Sequence, residues 1–435
     1  MDLGGNIVLI TGPPYCVELL SPKLIFCGVL KLSYKEWREW ACGRLVYIWS
    51  KSIGISRFDG TTGTRFMKET GLTYAAAGVD YHRMDALKLI AQKAARETGA
   101  NAFRSGMVEI EASRGESAYV MEIGGQLIAS ITECLGTKAL VADAMRVHSG
   151  RSHYDTIAQD TVAAAVNDLV SVGATPVSIH AYWSTGNSEW FSDNERTEDL
   201  VKGWKASCDT CNASWGGGET PALNGVIELG RIDLAASAVG IVKSADRLTL
   251  GDKLAVGDSI VLFESSGIHA NGISLARKLA DQLPAGFATR MSDGRMFGEG
   301  LLDPTILYPV LTEALFAAGI YPNYCVNITG HGWRKLMRHR SSLTYRFHDM
   351  PPVPTVLSFL QGQCRLSNQE AYGSLNMGAG FAAFVSPERV TDTIASARSV
   401  GIRGWDAGVV EAGPRKIIVE PLQFEYQSNE LQLRN

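Results

Sequence analysis

The feature that most constrains this chain is an alternation of short apolar strands with helical segments, run through twice along 435 residues. "VMEIGGQLIASIT" reads as two strands, over 118–123 and 126–132. A helix follows from about Thr156 to Val172, with Asp155 as N-cap, Gly173 as stop and Pro176 just beyond. "VSIHAYW", a polar helix near 195–210, and the apolar strand "LAASAVGIV" complete the first run. The second opens on "SIVLFESSG" and the helix "GISLARKLADQL". A helix around 304–319, the stretch "NMGAGFAAFV", a helix near 387–400, and the strands "AGVVE" and "KIIVE" close it. Each such element has one apolar face to bury, so strands gather into sheets that helices cover, and the chain is expected to be α/β (α+β) in two domains. Its length agrees, because a single core stops growing beyond roughly 250–300 residues.

The expected boundaries are 67–244 for the first domain and 245–420 for the second, joined by the charged segment "KSADRLTLGDKLAVGD", with 421–435 as a tail. Residues 1–66 differ in character. They hold three of the nine tryptophans and three of the eight cysteines, without a sustained helical or strand period, and read as an extension; Met67 is a candidate start. Within them "LITGPP" imitates a phosphate loop, but the Lys-Ser/Thr that would bind phosphate and magnesium never arrives. "YHRMDALKLIAQKAARETGA" then spaces Met84, Leu87, Ala91 and Ala94 as the apolar stripe of a helix.

With a net charge of −4 and 46% apolar residues, neither nucleic acid nor an anionic membrane is expected as partner, and small-molecule chemistry is favoured. The start lacks a basic signal-peptide region and no apolar run nears the ~20 residues of a membrane helix, so a cytoplasmic location is expected. Cys208 and Cys211 form a lone Cys-x-x-Cys, better read as two half-buried thiols on a helix than as a zinc site.

In "QDTVAAAVNDL" Asp160, Asn167 and Asp168 share one helical stripe, while Val162, Val166 and Leu169 make the other face apolar too. Inward-facing polar groups are costly unless paired or metal-bound. Ligation is therefore favoured over a solvated face. "GGGET" places Gly217 and Gly218 before Glu219 and Thr220, either for close approach to a ligand or as a plain turn. With Glu133 in "SITECLGTKAL", these residues give oxygen donors without a histidine or cysteine cluster, a set that favours magnesium. "ESSGIHANGISL" carries His269 and Asn271 in a strand-to-helix loop. They read either as anion and proton-transfer groups or as an exposed histidine with an ordinary helix cap. "ITGHGW" and "NMGAGF" are similar glycine-rich joins.

Six motifs in order carry a resemblance: Tyr74-x-x-Ala77-Gly78-Val79-Asp80, Gly136-Thr137-Lys138, Asn167-Asp168-Leu169, Gly217-Gly218-Glu219-Thr220, Ser265-Ser266-Gly267-x-His269-x-Asn271-Gly272 and Thr329-Gly330-x-Gly332. Over about 72–420 the chain resembles the phosphoribosylformylglycinamidine cyclo-ligases, the aminoimidazole ribonucleotide synthetases of purine synthesis. The resemblance implies two domains, each a mixed sheet covered by helices, in a homodimer joined through its N-terminal sheets. It implies use of ATP and Mg2+ to close the ring of a small-molecule ribonucleotide substrate, formylglycinamidine ribonucleotide, with release of ADP and phosphate. By the same similarity Glu133, Asp160, Asn167, Asp168 and Glu219 surround the metal, and Gly136, Thr137, Lys138, Gly217, Gly218 and Thr220 contact the nucleotide. His269, Asn271 and Lys138 are the implied catalytic groups.

Three departures fall on the nucleotide side. Glu133-Cys134-Leu135 precedes Gly136 where the family has Asp-Gly-x, the family's glycine-rich stretch is replaced by "SGMVEIEASRGESAYVMEIGGQ", and Ala181 stands where an aspartate is usual. Alternatives are a related ATP-using enzyme, of the selenophosphate, thiamine-phosphate kinase or hydrogenase-maturation kind, or a silent nucleotide-binding scaffold. No cysteine lies in a glycine-rich N-terminal loop, which counts against the selenophosphate branch.

Overall fold

A computed structural model of the protein describes residues 7–10, 17–20, 78 and 81–431. Strands β1 (Ile7–Ile10) and β2 (Val17–Leu20) pair antiparallel, with Ile7 opposite Leu20. The rest of the expected extension, Met67, and the Tyr74–Asp80 motif apart from Gly78 lie outside the described residues.

Helix α1 (Tyr81–Glu97) leads into β3 (Met107–Glu109), β4 (Tyr119–Ile123) and β5 (Gln126–Cys134). Then come α2 (Lys138–Ser149), α3 (Tyr154–Val170), β6 (Thr175–Thr185), α4 (Asn194–Thr210), β7 (Ser214–Glu219) and β8 (Ile232–Val242). The six strands lie in the order β3-β4-β5-β8-β6-β7, antiparallel throughout except for the parallel β6–β7 edge. The period of two is plain in β8, where Ile232, Leu234, Ala236, Ala238, Gly240 and Val242 are buried against helices and the residues between them are not. The opposite face of this sheet carries Ile128, Ser130, Ala235, Val239 and Ile241, all only half-buried.

The second half builds β9 (Ser259–Glu264), α5 (Ile273–Ala280), α6 (Pro309–Ala317), β10 (Tyr324–Asn327), β11 (Leu343–Phe347) and α7 (Thr355–Cys364). It finishes with β12 (Ala379–Val385), α8 (Val390–Ser399), β13 (Gly404–Ala412), β14 (Lys416–Val419) and β15 (Phe424–Gln427). Its sheet is also mixed, ordered β10-β12-β9-β13-β11-β14-β15 with β11–β14 parallel. Both sheets belong to one compact body over 70–435, and one buried apolar cluster runs from Val120 and Val166 through Leu262 to Val419.

Several expectations change. The helix expected from Thr156 begins at Tyr154, with His153 (φ 63°) at its N-cap position; Asp155 lies in the first turn and pairs with Arg151 at 2.8 Å. Of the expected tail, the described residues 421–431 include a strand, since Phe424–Gln427 pairs with β14 and buries Tyr426. Helix α2 has no counterpart in the sequence reading, since its buried face is built largely of small residues such as Ala139 and Ala142, whose period is faint. The stripe on α1 is not buried among the described residues: Met84 is 46% and Leu87 68% exposed.

Helix α3 ends at Val170 rather than at the expected Val172, and Gly173 lies three residues beyond, where a tertiary contact requires it. It holds φ 86°, and a Cβ there would sit 1.7 Å from the carbonyl oxygen of Arg247 in the segment leading to the second half. Gly173→Ala is expected to cost about 2–4 kcal/mol, since the methyl meets backbone and the residue loses an easily held left-handed conformation. Chemical denaturation measures this, and an unchanged midpoint would mean that the 243–258 segment yields freely.

Candidate active site

The polar stripe of α3 divides into two parts with different work. Its first part is a clamp. Asp160 is fully buried, forms an ion pair with Lys138 Nζ at 2.7 Å, and accepts hydrogen bonds from the Thr305 amide, at 2.8 Å, and from its hydroxyl. Lys138 also donates to the Asp303 carbonyl at 3.0 Å. Gln159 donates to the Thr305 carbonyl, and Asn167 both donates to the Ile306 carbonyl and accepts from the Tyr308 amide, each at 2.8 Å. Extended backbone over 303–308 is thereby satisfied by side chains of α3 and by Lys138, as buried peptide groups require. Asp160 and Asn167 are thus occupied as a clamp rather than aimed at a metal, and Lys138, with no exposed surface, does not reach a phosphate.

The second part of the stripe is different. The charge of Asp168, on α3, reaches Glu133, near the end of β5. Burial first, and then that charge, push the Glu133 carboxyl up to about 7, against the opposing pull of Lys335, Lys88 and Arg338. Asp168 accepts a hydrogen bond from Asn327 Nδ2 at 2.8 Å, at the end of β10. Lys335, on the short 3-10 helix Gly332–Met337, donates to Thr329 Oγ1 and to the Asn327 carbonyl. Burial drives its ammonium down to about 8, although Asp168 and Glu133 pull upward. Arg338 hydrogen-bonds Ser117 at 2.5 Å, and His331 pairs with Asp85 of α1 at 2.9 Å. Burial lowers the His331 imidazole to about 4.

On the half-buried face of the first sheet, opposite the helix-covered face to which Glu133 belongs by strand alternation, lies a cavity of about 570 Å³ lined by Gln92, Glu116, Ser117, Tyr119, Ser130 and Thr132 among others. That volume is in the range of small-molecule sites. The segment 106–125, glycine-rich in the resembling family, forms much of its rim. Where β5 ends, Gly136 (φ 76°) is exposed with open space around it, and Thr137 holds the N-cap position of α2. The Thr137 hydroxyl is buried and has no hydrogen-bond partner.

The remaining expectations separate in the same way. His269 (φ 58°) is buried, and its Nε2 accepts from the Ser266 amide at 3.3 Å, which makes the ring an internal brace of its loop. Burial, then the charge of Lys138, hold its imidazole down to about 3 rather than at the ordinary 6.5. The unfolded chain therefore binds a proton there that the native protein does not, so His269 weakens the fold as pH drops from about 6.5 to about 3. Its NMR resonances are expected to shift only near pH 3, and a midpoint near 6.5 would put the ring in contact with solvent. Asn271 is half-buried, and Gly272 (φ 98°) rather than Asn271 holds the N-cap position of α5. The loop itself is fixed by Asn376, which accepts from the Ser265 hydroxyl at 2.9 Å and donates to the Gly267 carbonyl at 2.8 Å.

Gly217, Gly218 and Glu219 lie on β7, exposed along the sheet edge. A Cβ on Gly218 would come within 2.1 Å of the Ala181 carbonyl oxygen, so the close approach that needs glycine here is to β6. Glu219 is exposed at the end of β7. Thr220 lines a separate 190 Å³ cavity with Trp183, Phe191 and Leu200. Cys208 and Cys211 are buried thiols that burial pushes up to about 11 and about 12, and no cluster of three metal-binding His, Cys, Asp or Glu occurs among the described residues.

Of the five residues expected to surround magnesium, Asp160 and Asn167 are taken by the clamp and Glu219 is exposed on β7, which leaves Glu133 and Asp168 as carboxylates for such an ion. Sequence reading missed Lys335, Arg338 and Asn327, whose only signal was their position around the glycine-rich join "ITGHGW".

Residues 115–242 match the N-terminal domain, and residues 255–420 the C-terminal domain, described as AIR synthase related protein. The phosphoribosylformylglycinamidine cyclo-ligase of Methanobrevibacter smithii is 31% identical over 333 residues, covering 74% of this chain and 91% of that protein. The enzyme of the same name from Pyrococcus furiosus is 34% identical over 322 residues, covering 73% and 89%. Among solved structures, thiamine-monophosphate kinase from Stenotrophomonas maltophilia shares the fold at a TM-score of 0.50 and 19% identity, covering 70% of this chain and 90% of that one.

Proposed function

The chain belongs to the phosphoribosylformylglycinamidine cyclo-ligase family, and from that premise we propose how its own residues carry out the ATP-dependent ring closure of formylglycinamidine ribonucleotide to aminoimidazole ribonucleotide. The reading is supported by two hydrogen bonds that join the halves, Asn327 to Asp168 and Arg338 to Ser117, and by the pull of Lys335 and Arg338 on the Glu133 carboxyl. Magnesium bound there would screen the triphosphate charge. Glu133 and Asp168 hold it. Arg338 and Lys88 supply positive charge from two sides, and the first turn of α2 offers free backbone N–H groups, with the unpartnered Thr137 hydroxyl, to phosphate oxygens. Asn271 faces the ribonucleotide, while His269 braces the loop that presents it.

The half-buried sheet face around Ile128, Val239 and Ile241 supports a homodimer that covers it. A water-soluble substrate, and the absence among the described residues of any helix long and apolar enough to cross a membrane, support a cytoplasmic location. The test is an assay of purified protein with ATP, magnesium and formylglycinamidine ribonucleotide, following ADP and the aminoimidazole product. ATP binding with no product would overturn this reading in favour of another phosphoryl transfer on the same fold.

A further inference from the structure

The join "ITGHGW" puts a histidine where the backbone favours glycine. His331 holds φ 68° between Gly330 and Gly332, a left-handed conformation that is uncommon outside glycine. The join is packed tightly, since a Cβ on Gly332 would lie 2.2 Å from the Tyr372 carbonyl oxygen and Arg334 Nε donates to the Gly373 carbonyl at 2.9 Å. Strained residues persist where the surrounding structure holds them, and they cluster at functional sites. The His331 ring is buried, and its Nε2 meets Asp85 Oδ2, near the start of α1, at 2.9 Å. From Met84 to Glu97 no residue of α1 is buried, and Leu87 and Ile90 are largely exposed. A helix of 17 residues without a buried face is marginal by itself. Yet Ala91, Gln92 and Ala95 of this helix form one wall of the 570 Å³ cavity. The Tyr74–Asp80 motif, the first of the six that carry the family resemblance, ends at the residue before α1 begins.

We propose that His331 is a positioning residue: through its bond to Asp85 it anchors α1 to the glycine-rich join of the second half, and so fixes where the chain delivers the Tyr74–Asp80 motif. What the motif serves rests on the cyclo-ligase reading, whereas the anchor itself does not. The bond also accounts for the backbone. Glycine would hold the join without strain, but it has no side chain to reach α1. The join follows β10, whose Asn327 donates to Asp168 of α3 at 2.8 Å, so α1 and α3 are both tied to one stretch of the second half. Without the anchor, α1 must be ordered as ligand binds. Apparent affinity then falls in proportion to the fraction of molecules with the helix already in place, while the chemistry of the bound complex is unchanged.

The experiment compares the full-length protein with His331→Gly, Asp85→Ala and Asp85→Asn by hydrogen–deuterium exchange and by turnover. His331→Gly and Asp85→Ala are each expected to speed amide exchange over 81–97 at least about tenfold, the scale of one hydrogen bond to a charged group, with exchange in β9 and β12 unchanged. The KM for ATP or for the ribonucleotide rises by a similar factor while kcat holds. Asp85→Asn keeps an acceptor for the imidazole N–H and stays close to the unmodified protein. Asp85 also lies 3.5 Å from Lys88, so the result from His331→Gly assigns the effect to the shared bond, and the double variant is expected to loosen α1 no more than either single one. Unchanged exchange over 81–97 in both variants overturns the anchor. Faster exchange throughout the chain, or a fall in kcat at constant KM, overturns the positioning role. If the unmodified protein makes no aminoimidazole product, the cyclo-ligase reading fails, and exchange together with affinity for a non-hydrolysable ATP analogue still decides the anchor.

Discussion

Glu133→Gln should lower ATP-dependent turnover by about 10²–10³-fold, the scale on which removal of one charge-stabilising group acts in a closed site, and should at the same time raise the melting temperature of the nucleotide-free protein. The first effect follows if the carboxylate holds the ion that screens the triphosphate. The second follows from burial. The carboxyl is held at about 7 instead of 4.5, so Lys335, Lys88 and Arg338 together do not outweigh burial and Asp168. A group whose native pKa is raised binds a proton in the native state that the unfolded chain has already lost. Its contribution to stability therefore falls as pH rises from about 4.5 through about 7, and above that range the whole cost is present. Glutamine never ionises, so the gain in melting temperature is expected to be largest above pH 7 and to vanish in acid. Scanning fluorimetry against pH, beside a turnover assay, reads both effects. Full turnover in the variant would remove Glu133 from the site, whatever its effect on melting.

Lys138→Met is expected to cost about 3–5 kcal/mol, because it leaves Asp160 buried without its partner. The pair lies at 2.7 Å with neither side chain exposed, and Asp160 remains tied to Thr305 after the lysine is gone. The double variant Lys138→Met, Asp160→Asn removes the stranded charge and should recover a large part of that loss, which makes the coupling between the two sites measurable as a cycle. Denaturant midpoints give the stabilities. Additive losses would mean that Lys138 acts through its stem packing, and a loss of ATP affinity without a loss of stability would return it to the nucleotide site.

The sequence reading of the site succeeded and failed within a single helix. Asp160, Asn167 and Asp168 share a stripe, and inward-facing polar groups needed partners; both statements hold. What spacing could not give was the identity of the partners: apart from Lys138, which pairs with Asp160, they come from more than a hundred residues away in the chain, the backbone of 303–308 for the first two and Asn327 for the third. The glycines before Glu219 likewise marked a close approach, but the approach is to Ala181 in the neighbouring strand.

By itself, the sequence determined the alternation of strands and helices in two halves and the motif order that ties the chain to its family. All of these depend on neighbours within a few residues, where periodicity and turn chemistry act. Only the tertiary structure decided which buried polar groups are spent on holding the halves together and which remain to meet a ligand. That decision made Lys138 and Asp160 a clamp, turned His269 into an internal brace, and tied Asp168 to Asn327 of the second half. Its physical reason is that a buried charge must find its counter-charge in space, and the side chains that answer one another here are set by the packing of two sheets around one core.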